Sequence, residues 1–123
     1  MGNMDNPQRA TVAFLCGCLS NKHSTSHNGI HDYAMGKYIS LSYSNNGGNI
    51  SIFDYTRGCS LNGRFPSFFD YGVAQYISLT RVGNSNYSVF DYNTSSYLSV
   101  TCNGNAVSVF DYAKGMYYNY NLN

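Results

Sequence analysis

The stretch Ser88–Asn103, which reads SVFDYNTSSYLSVTCN, contains the unit that decides the fold. In its second half, Leu98, Val100 and Cys102 alternate with polar or aromatic residues, and this period of two predicts a β-strand. About four polar residues separate this strand from the preceding Ser-Val-Phe-Asp-Tyr segment, and such residues are typical of turns. The unit therefore predicts a two-stranded hairpin.

The triplet Phe-Asp-Tyr of this unit recurs along the chain. Its copies are centred at Asp54, Asp70, Asp91 and Asp111, and His31-Asp32-Tyr33 is a variant fifth copy. The central Asp residues are 22, 16, 21 and 20 residues apart, a range typical of repeated supersecondary units. We therefore predict an all-β fold of about five tandem hairpins and about ten short strands, forming a closed or stacked pseudo-symmetric domain.

The repeat sets the expected domain limits. We expect an N-terminal tail at residues 1–9 and a single β-repeat domain at 10–123. A gapless alignment of the units places Cys18 where other units have Tyr38, Tyr76 and Tyr97, and it places Cys59 there in a unit shortened by one residue. The apolar stretch Ala10–Leu19 is then the start of the first unit, with a short secretory signal as the alternative.

The outer strands of such a domain need protection. Unpaired strand edges invite aggregation, and with only 11% charged residues the chain has few charges that could block them. Closure, a cap or self-association is therefore required, and we favour a closed unit that also oligomerises.

Composition excludes several functions. The net charge is +1 and the 7 Lys and Arg residues form no run, so nucleic acid is not an expected partner. No segment has enough consecutive apolar residues to span a membrane. All six acidic residues are Asp, and no catalytic or phosphate-binding motif is present, so we expect neither an enzyme nor a cofactor.

The segment Phe90–Asn105 resembles a YD (Rhs-type) repeat, in which an aromatic-Asp pair is followed by a turn, an alternating strand and a second Asn/Gly turn. The plan of one hairpin per unit is also similar to that of the four-fold β-flower proteins. Both resemblances cover residues 18–123. They imply a β-repeat fold and an extracellular location, and they assign no functional residue.

The repeated Asp has two interpretations. Its carboxylate can accept the backbone N–H two residues further on and hold the turn. Alternatively, Asp and the adjacent Tyr form ligand sites, the carboxylate binding sugar hydroxyls or a cation and the ring stacking on a sugar. The candidate pairs are Asp32 and Tyr33, Asp54 and Tyr55, Asp70 and Tyr71, Asp91 and Tyr92, and Asp111 and Tyr112.

A second candidate site lies near the N-terminus. Cys16, Cys18, His23 and His27 are types of residue that bind zinc, although Cys-x-Cys is not a usual zinc spacing and the His residues lie in a polar segment. A loop with incidental His residues is the simpler interpretation. The four Cys residues, which include Cys59 and Cys102, permit three disulfide patterns or buried free thiols.

Two functions remain open. The first is a structural, self-assembling protein of a surface, fibre or virion, in which strand edges and Tyr and Asn side chains join copies. The second is a small lectin-like module that binds glycans at several Asp/Tyr sites. In both cases the sequence favours an extracellular, cell-surface or virion location, and the expected partners are the protein itself and glycans.

Overall fold

A computed structural model of the chain describes residues 4–21 and 27–123. The elements, in chain order, are helix α1 (Asn6–Ser20) and strands β1 (Gly29–Asp32), β2 (Lys37–Asn46), β3 (Asn49–Asp54), β4 (Cys59–Arg64), β5 (Ser67–Asp70), β6 (Gln75–Arg81), β7 (Asn86–Asp91), β8 (Ser96–Asn103), β9 (Ala106–Asp111) and β10 (Met116–Leu122). The prediction of about ten short strands is confirmed.

The ten strands form a closed barrel. Each strand pairs antiparallel with its neighbours in the chain, and β10 pairs with β1 to complete the circle. This last pairing joins Ile30 to Leu122 and Asp32 to Tyr120. Of the two predicted arrangements, closed or stacked, the chain adopts the closed one.

The alternation along each strand separates an interior from an outer wall. In β9, Val107, Val109 and Asp111 are buried, whereas Ser108 and Phe110 between them are partly exposed. The inward apolar residues of the strands and those of α1 form one hydrophobic core. A fully buried Leu, Ile or Val stabilises the fold by about 1.5–3 kcal/mol, so this core accounts for much of the stability.

Helix α1 lies inside the barrel. Residues 8–18 are buried on every face of the helix, as expected only for a helix that is surrounded by protein. Residues 6–9, which were expected in the tail, belong to the helix, and the expected strand near Cys18 is wrong because Cys18 is also helical. The strands from β1 onwards already close the barrel, so the apolar N-terminal segment fills the interior instead of joining the wall. No helix within residues 4–21 and 27–123 is long and apolar enough to cross a membrane.

Polar contacts fix α1 at both ends. Asp5 caps the N-terminus by accepting the Gln8 N–H at 3.0 Å. At the other end the Asn21 side chain donates to the carbonyl of Gly17 and to that of Gly104 in the β8–β9 turn, both at 2.9 Å. Because Arg9 bonds Asp111 at the end of β9, the helix runs from the barrel end that carries the motif turns to the opposite end.

The five turns that follow the motif Asp share one backbone conformation. The fourth residue after each Asp has a positive φ, which is 64° at Gly36, 68° at Gly58 and 65° at Gly115. The equivalent residues in the other two turns are Ala74 and Ser95, with φ of 55° and 54°. A side chain disfavours this conformation, so these two turns store strain that Gly would relieve.

Replacing either residue by glycine should therefore stabilise the protein. We expect Ala74→Gly and Ser95→Gly each to raise the free energy of unfolding by about 0.5–1 kcal/mol, because the relieved strain exceeds the entropy that Gly adds to the unfolded chain. Urea denaturation measures the change. The control Ala113→Gly is in an equivalent turn but not at a positive φ, and it should destabilise. A loss of stability in Ala74→Gly as large as that in Ala113→Gly would contradict this account.

Candidate functional site

All five motif Asp residues face the barrel interior at the same end. Each ends an odd-numbered strand, and these strands run in one direction because neighbouring strands are antiparallel. Their exposed fractions are at most 1%. The members of this ring, called the Asp ring below, are Asp32, Asp54, Asp70, Asp91 and Asp111.

Each carboxylate of the Asp ring holds the turn that follows it. The Oδ1 atom accepts the backbone N–H two residues on, over distances between 2.8 Å in the turn after Asp70 and 3.1 Å in the turn after Asp91. The interpretation of the repeated Asp as a turn residue is confirmed. The expected pairing of each Asp with its adjacent Tyr in one ligand site is wrong, because the carboxylate faces the interior and the Tyr ring is on the outer wall.

Two arginines balance part of the charge of the Asp ring. Arg9 of α1 is fully buried and donates to Asp111 from Nη2 at 2.8 Å and from Nε at 3.1 Å, and its guanidinium lies 3.9 Å from the centre of the Tyr118 ring. Arg57 bridges Asp54, at 2.8 Å, and Asp70, at 3.2 Å. Burial lowers the pKa of Arg57, but the bond to Asp54 and the charge of Asp70 outweigh burial and raise it.

Asp91 has no cationic partner among the described residues. Its Oδ2 accepts the Thr94 hydroxyl at 2.9 Å, and its Oδ1 accepts the Asn93 N–H. Burial raises the pKa of Asp91 despite these bonds, and the charges of Asp70 and Asp111 raise it further. Asp32 likewise makes no salt bridge within the described residues. The raised pKa shows that the charge of Asp91 is costly to the fold.

The predicted Cys and His ligands are not brought together in the described structure. Cys16 and Cys18 are buried in the core, and burial raises the pKa of Cys16 and raises that of Cys18 to about 12, so both are neutral thiols. His27 is partly buried, and its Nδ1 lies 2.8 Å from the Asn123 carbonyl oxygen, while His23 lies outside the described residues. Within residues 4–21 and 27–123 no group of three or more His, Cys, Asp or Glu side chains could hold a metal ion.

The four cysteines are free, and the expected position of Cys59 is wrong by one residue. The register pairs Phe53 with Ser60 and Asp54 with Cys59, so Ser60 takes the tyrosine position. The turn between β3 and β4 is as long as the other four, and no residue is missing there. The alignment failed because Ser60 differs in type from the tyrosines that it replaces.

The outer wall carries most of the aromatic surface. Nine tyrosines on this wall are between 45% and 69% exposed, which is unusual for so large a side chain: Tyr33, Tyr38, Tyr55, Tyr71, Tyr76, Tyr92, Tyr97, Tyr112 and Tyr117. Because each follows a motif Asp by one or by six residues, they encircle the same end of the barrel. This set is called the tyrosine collar below.

Three phenylalanines in the outer wall each contact two tyrosines of the collar. The ring centres of Phe90 lie 4.7 Å from Tyr92 and 4.9 Å from Tyr97, with tilted or edge-to-face geometry. Equivalent contacts are made by Phe69 with Tyr71 and Tyr76, and by Phe110 with Tyr112 and Tyr117. Such contacts favour particular orientations of these six tyrosine rings, and each ring still presents more than half of its surface to solvent.

A groove lies beside Phe90 and the two tyrosines that it contacts, Tyr92 and Tyr97. Its lining residues are Ser78, Thr80, Ser88, Phe90, Tyr92 and Tyr97, and they are called groove A. No hydroxyl among Ser78, Thr80 and Ser88 is hydrogen-bonded within the described chain, so each can donate to and accept from a ligand. None of the six residues is charged. Groove A can therefore bind a neutral ligand that has both hydroxyl groups and an apolar face.

The next unit repeats groove A residue for residue. The register pairs Ser99 with Phe110 and Thr101 with Ser108, as it pairs Ser78 with Phe90 and Thr80 with Ser88 in groove A. The residues at the equivalent register positions are called groove B by analogy, and they are Ser99, Thr101, Ser108, Phe110, Tyr112 and Tyr117. Sequence reasoning missed these grooves because it followed the Asp. The signal was present as six identical residue types at offsets of 20 or 21 residues.

Comparison of the chain with protein-family models, curated proteins and solved structures finds no match. The resemblance to YD repeats and to the β-flower plan therefore stays a prediction.

The uncompensated charge of Asp91 predicts an unusual effect of pH. Because the folded state holds this proton to higher pH than the unfolded chain, ionisation of Asp91 costs stability as pH rises through the carboxyl range. Asp91→Asn keeps an oxygen for the turn and removes that cost. We expect its free energy of unfolding, relative to the parent, to increase between about pH 3 and pH 7.

Asp111→Asn is the control, because it leaves the buried Arg9 without its charged partner. It should destabilise by about 3–5 kcal/mol at neutral pH. Chemical denaturation across the pH range measures both variants. A difference between Asp91→Asn and the parent that is independent of pH would show that the carboxyl does not carry this cost.

Proposed function

We propose that the protein is a non-enzymatic carbohydrate-binding protein with several weak sites on the outer wall of its barrel. The observation that carries this proposal is the grooves, where exposed tyrosine rings lie beside hydroxyls with no partner in the described chain. A sugar ring has an apolar face that packs on an aromatic ring, and its hydroxyls bond to Ser and Thr. Weak sites of this kind gain affinity by repetition.

The electrostatics of the grooves support a neutral sugar. Neither groove A nor groove B contains a charged residue, and the five carboxylates nearest to them are buried on the other side of the wall. The site residues of the proposal are therefore Tyr92, Tyr97, Tyr112 and Tyr117 with the neighbouring hydroxyls. The motif Asp residues hold the turns that orient these tyrosines.

A glycan array with the purified full chain tests this function. We expect neutral glycans to bind, and we expect Tyr92→Ala with Tyr112→Ala to weaken binding at least ten-fold, since an aromatic residue central to a site typically contributes more than ~1 kcal/mol. Tyr71→Ala is the matched control, because Tyr71 contacts Phe69 as Tyr92 contacts Phe90, but Asn62 and Arg64 take the places of the first two hydroxyl residues there. Absence of binding to any glycan, with or without calcium, would refute carbohydrate binding.

Self-assembly into a structural component is the second candidate function. It is favoured by the tyrosine collar and by the near-zero net charge of +1, which promotes association. Because each strand of the barrel is paired on both sides, copies would join through collar tyrosines rather than by adding strand to strand.

Sedimentation velocity over a wide range of protein concentration tests self-assembly. If copies join through the collar, the sedimentation coefficient should rise with concentration, and Tyr71→Ser with Tyr76→Ser should reduce that rise. Thr101→Ser, which keeps a hydroxyl on the outer wall, should not. A monomer at every concentration would exclude this candidate and leave carbohydrate binding unaffected.

A further inference from the structure

We propose that grooves A and B form one continuous site for a linear, uncharged polysaccharide that lies across strands β6 to β10. This inference rests on the proposed carbohydrate-binding function and specifies its ligand. It follows from the position of the two grooves, from their shape and from the absence of charge in them.

The two grooves adjoin along one strand. Tyr97 of groove A and Ser99 of groove B are both on the outer face of β8, with one inward residue between them. The central phenylalanines, Phe90 in β7 and Phe110 in β9, are two strands apart, which corresponds to ~10 Å at the usual strand spacing. A ligand that leaves groove A across β8 therefore enters groove B directly.

The grooves do not enclose a ligand. Both lie on the convex outer wall, and the tyrosines that border them are more than half exposed. A site specific for a terminal sugar encloses that sugar, as pockets for small ligands do. An open groove that continues into an identical one is suited to internal sugar units of a polysaccharide, because the polysaccharide must enter the site at one side and leave it at the other.

The repetition of the same six residue types indicates which kind of polysaccharide fits the site. Because groove B presents the same residue types at the same register positions as groove A, the two grooves recognise the same sugar unit. A ligand with identical units at a regular interval, which is a homopolymer, matches this arrangement. The neighbouring unit of β4–β6 has Asn62 and Arg64 in place of the first two hydroxyl residues, so the identical site does not continue past groove A on that side.

Oligosaccharide series test the proposal. The probes are the monosaccharide, the disaccharide and the hexasaccharide derived from cellulose, xylan, mannan and starch, with polygalacturonate as a charged polymer. Isothermal titration calorimetry with the full chain measures affinity. For at least one neutral series we expect the hexasaccharide to bind at least ten-fold more tightly than the disaccharide, because only the longer ligand occupies both grooves.

Two variants locate the site. Tyr97→Ala, at the junction of the grooves, should reduce the affinity for the hexasaccharide to that for the disaccharide. Thr80→Val, which keeps the β-branched shape and removes the hydroxyl of groove A, should reduce the advantage of the longer ligand. Tyr55→Ala, on a unit that does not border either groove, should leave the length dependence unchanged. Thermal denaturation checks that each variant is folded.

The outcomes separate this inference from the proposed function. Equal affinity for short and long ligands would overturn the continuous site and leave carbohydrate binding intact. Preference for polygalacturonate over every neutral series would overturn the assignment of an uncharged ligand. Binding to none of the probes, together with a negative glycan array, would overturn both the inference and the proposed function.

Discussion

The pairing of β10 with β1 is the constraint on which the rest of the structure depends. Without it, two strands would expose unpaired N–H and C=O groups, and a chain with 11% charged residues has little with which to protect them. Closure satisfies these groups. It also divides every strand into residues that face the interior and residues that face solvent, so each repeated position experiences one of two different environments.

The interior that closure creates must be filled. In barrels of about eight strands the side chains alone fill the interior, and ten strands enclose more space. Helix α1 occupies that space, which explains why its residues 8–18 are buried on all faces. The Asp ring then becomes part of the helix environment, because Arg9 bonds Asp111 and Thr11 bonds Asp54 at 2.8 Å. A residue that holds a turn thus also positions the helix.

Periodicity predicted the strands well and the helix not at all. Alternation in Tyr97–Cys102 and the repeated triplet depend on local chemistry, which the sequence displays directly. The role of Ala10–Leu19 depends instead on the diameter of the closed barrel, a property of all ten strands together. The Asp turn was predictable for the same local reason, but the grooves were not. Each groove combines residues of three strands, and only the register places Ser78, Phe90 and Tyr97 side by side.

Residues on the outer wall differ between units of the repeat. The occurrence of the same residue types in grooves A and B is therefore informative. All five units keep the inward Asp, because each turn requires it. The outward positions show no such requirement, since Ser60 replaces a tyrosine and Asn62 replaces a serine in a barrel that closes normally. Closure and turn geometry therefore do not demand that two adjacent units carry the same hydroxyls and the same tyrosines. The repeating ligand proposed above would demand it, because equal contacts at equal intervals require equal residues.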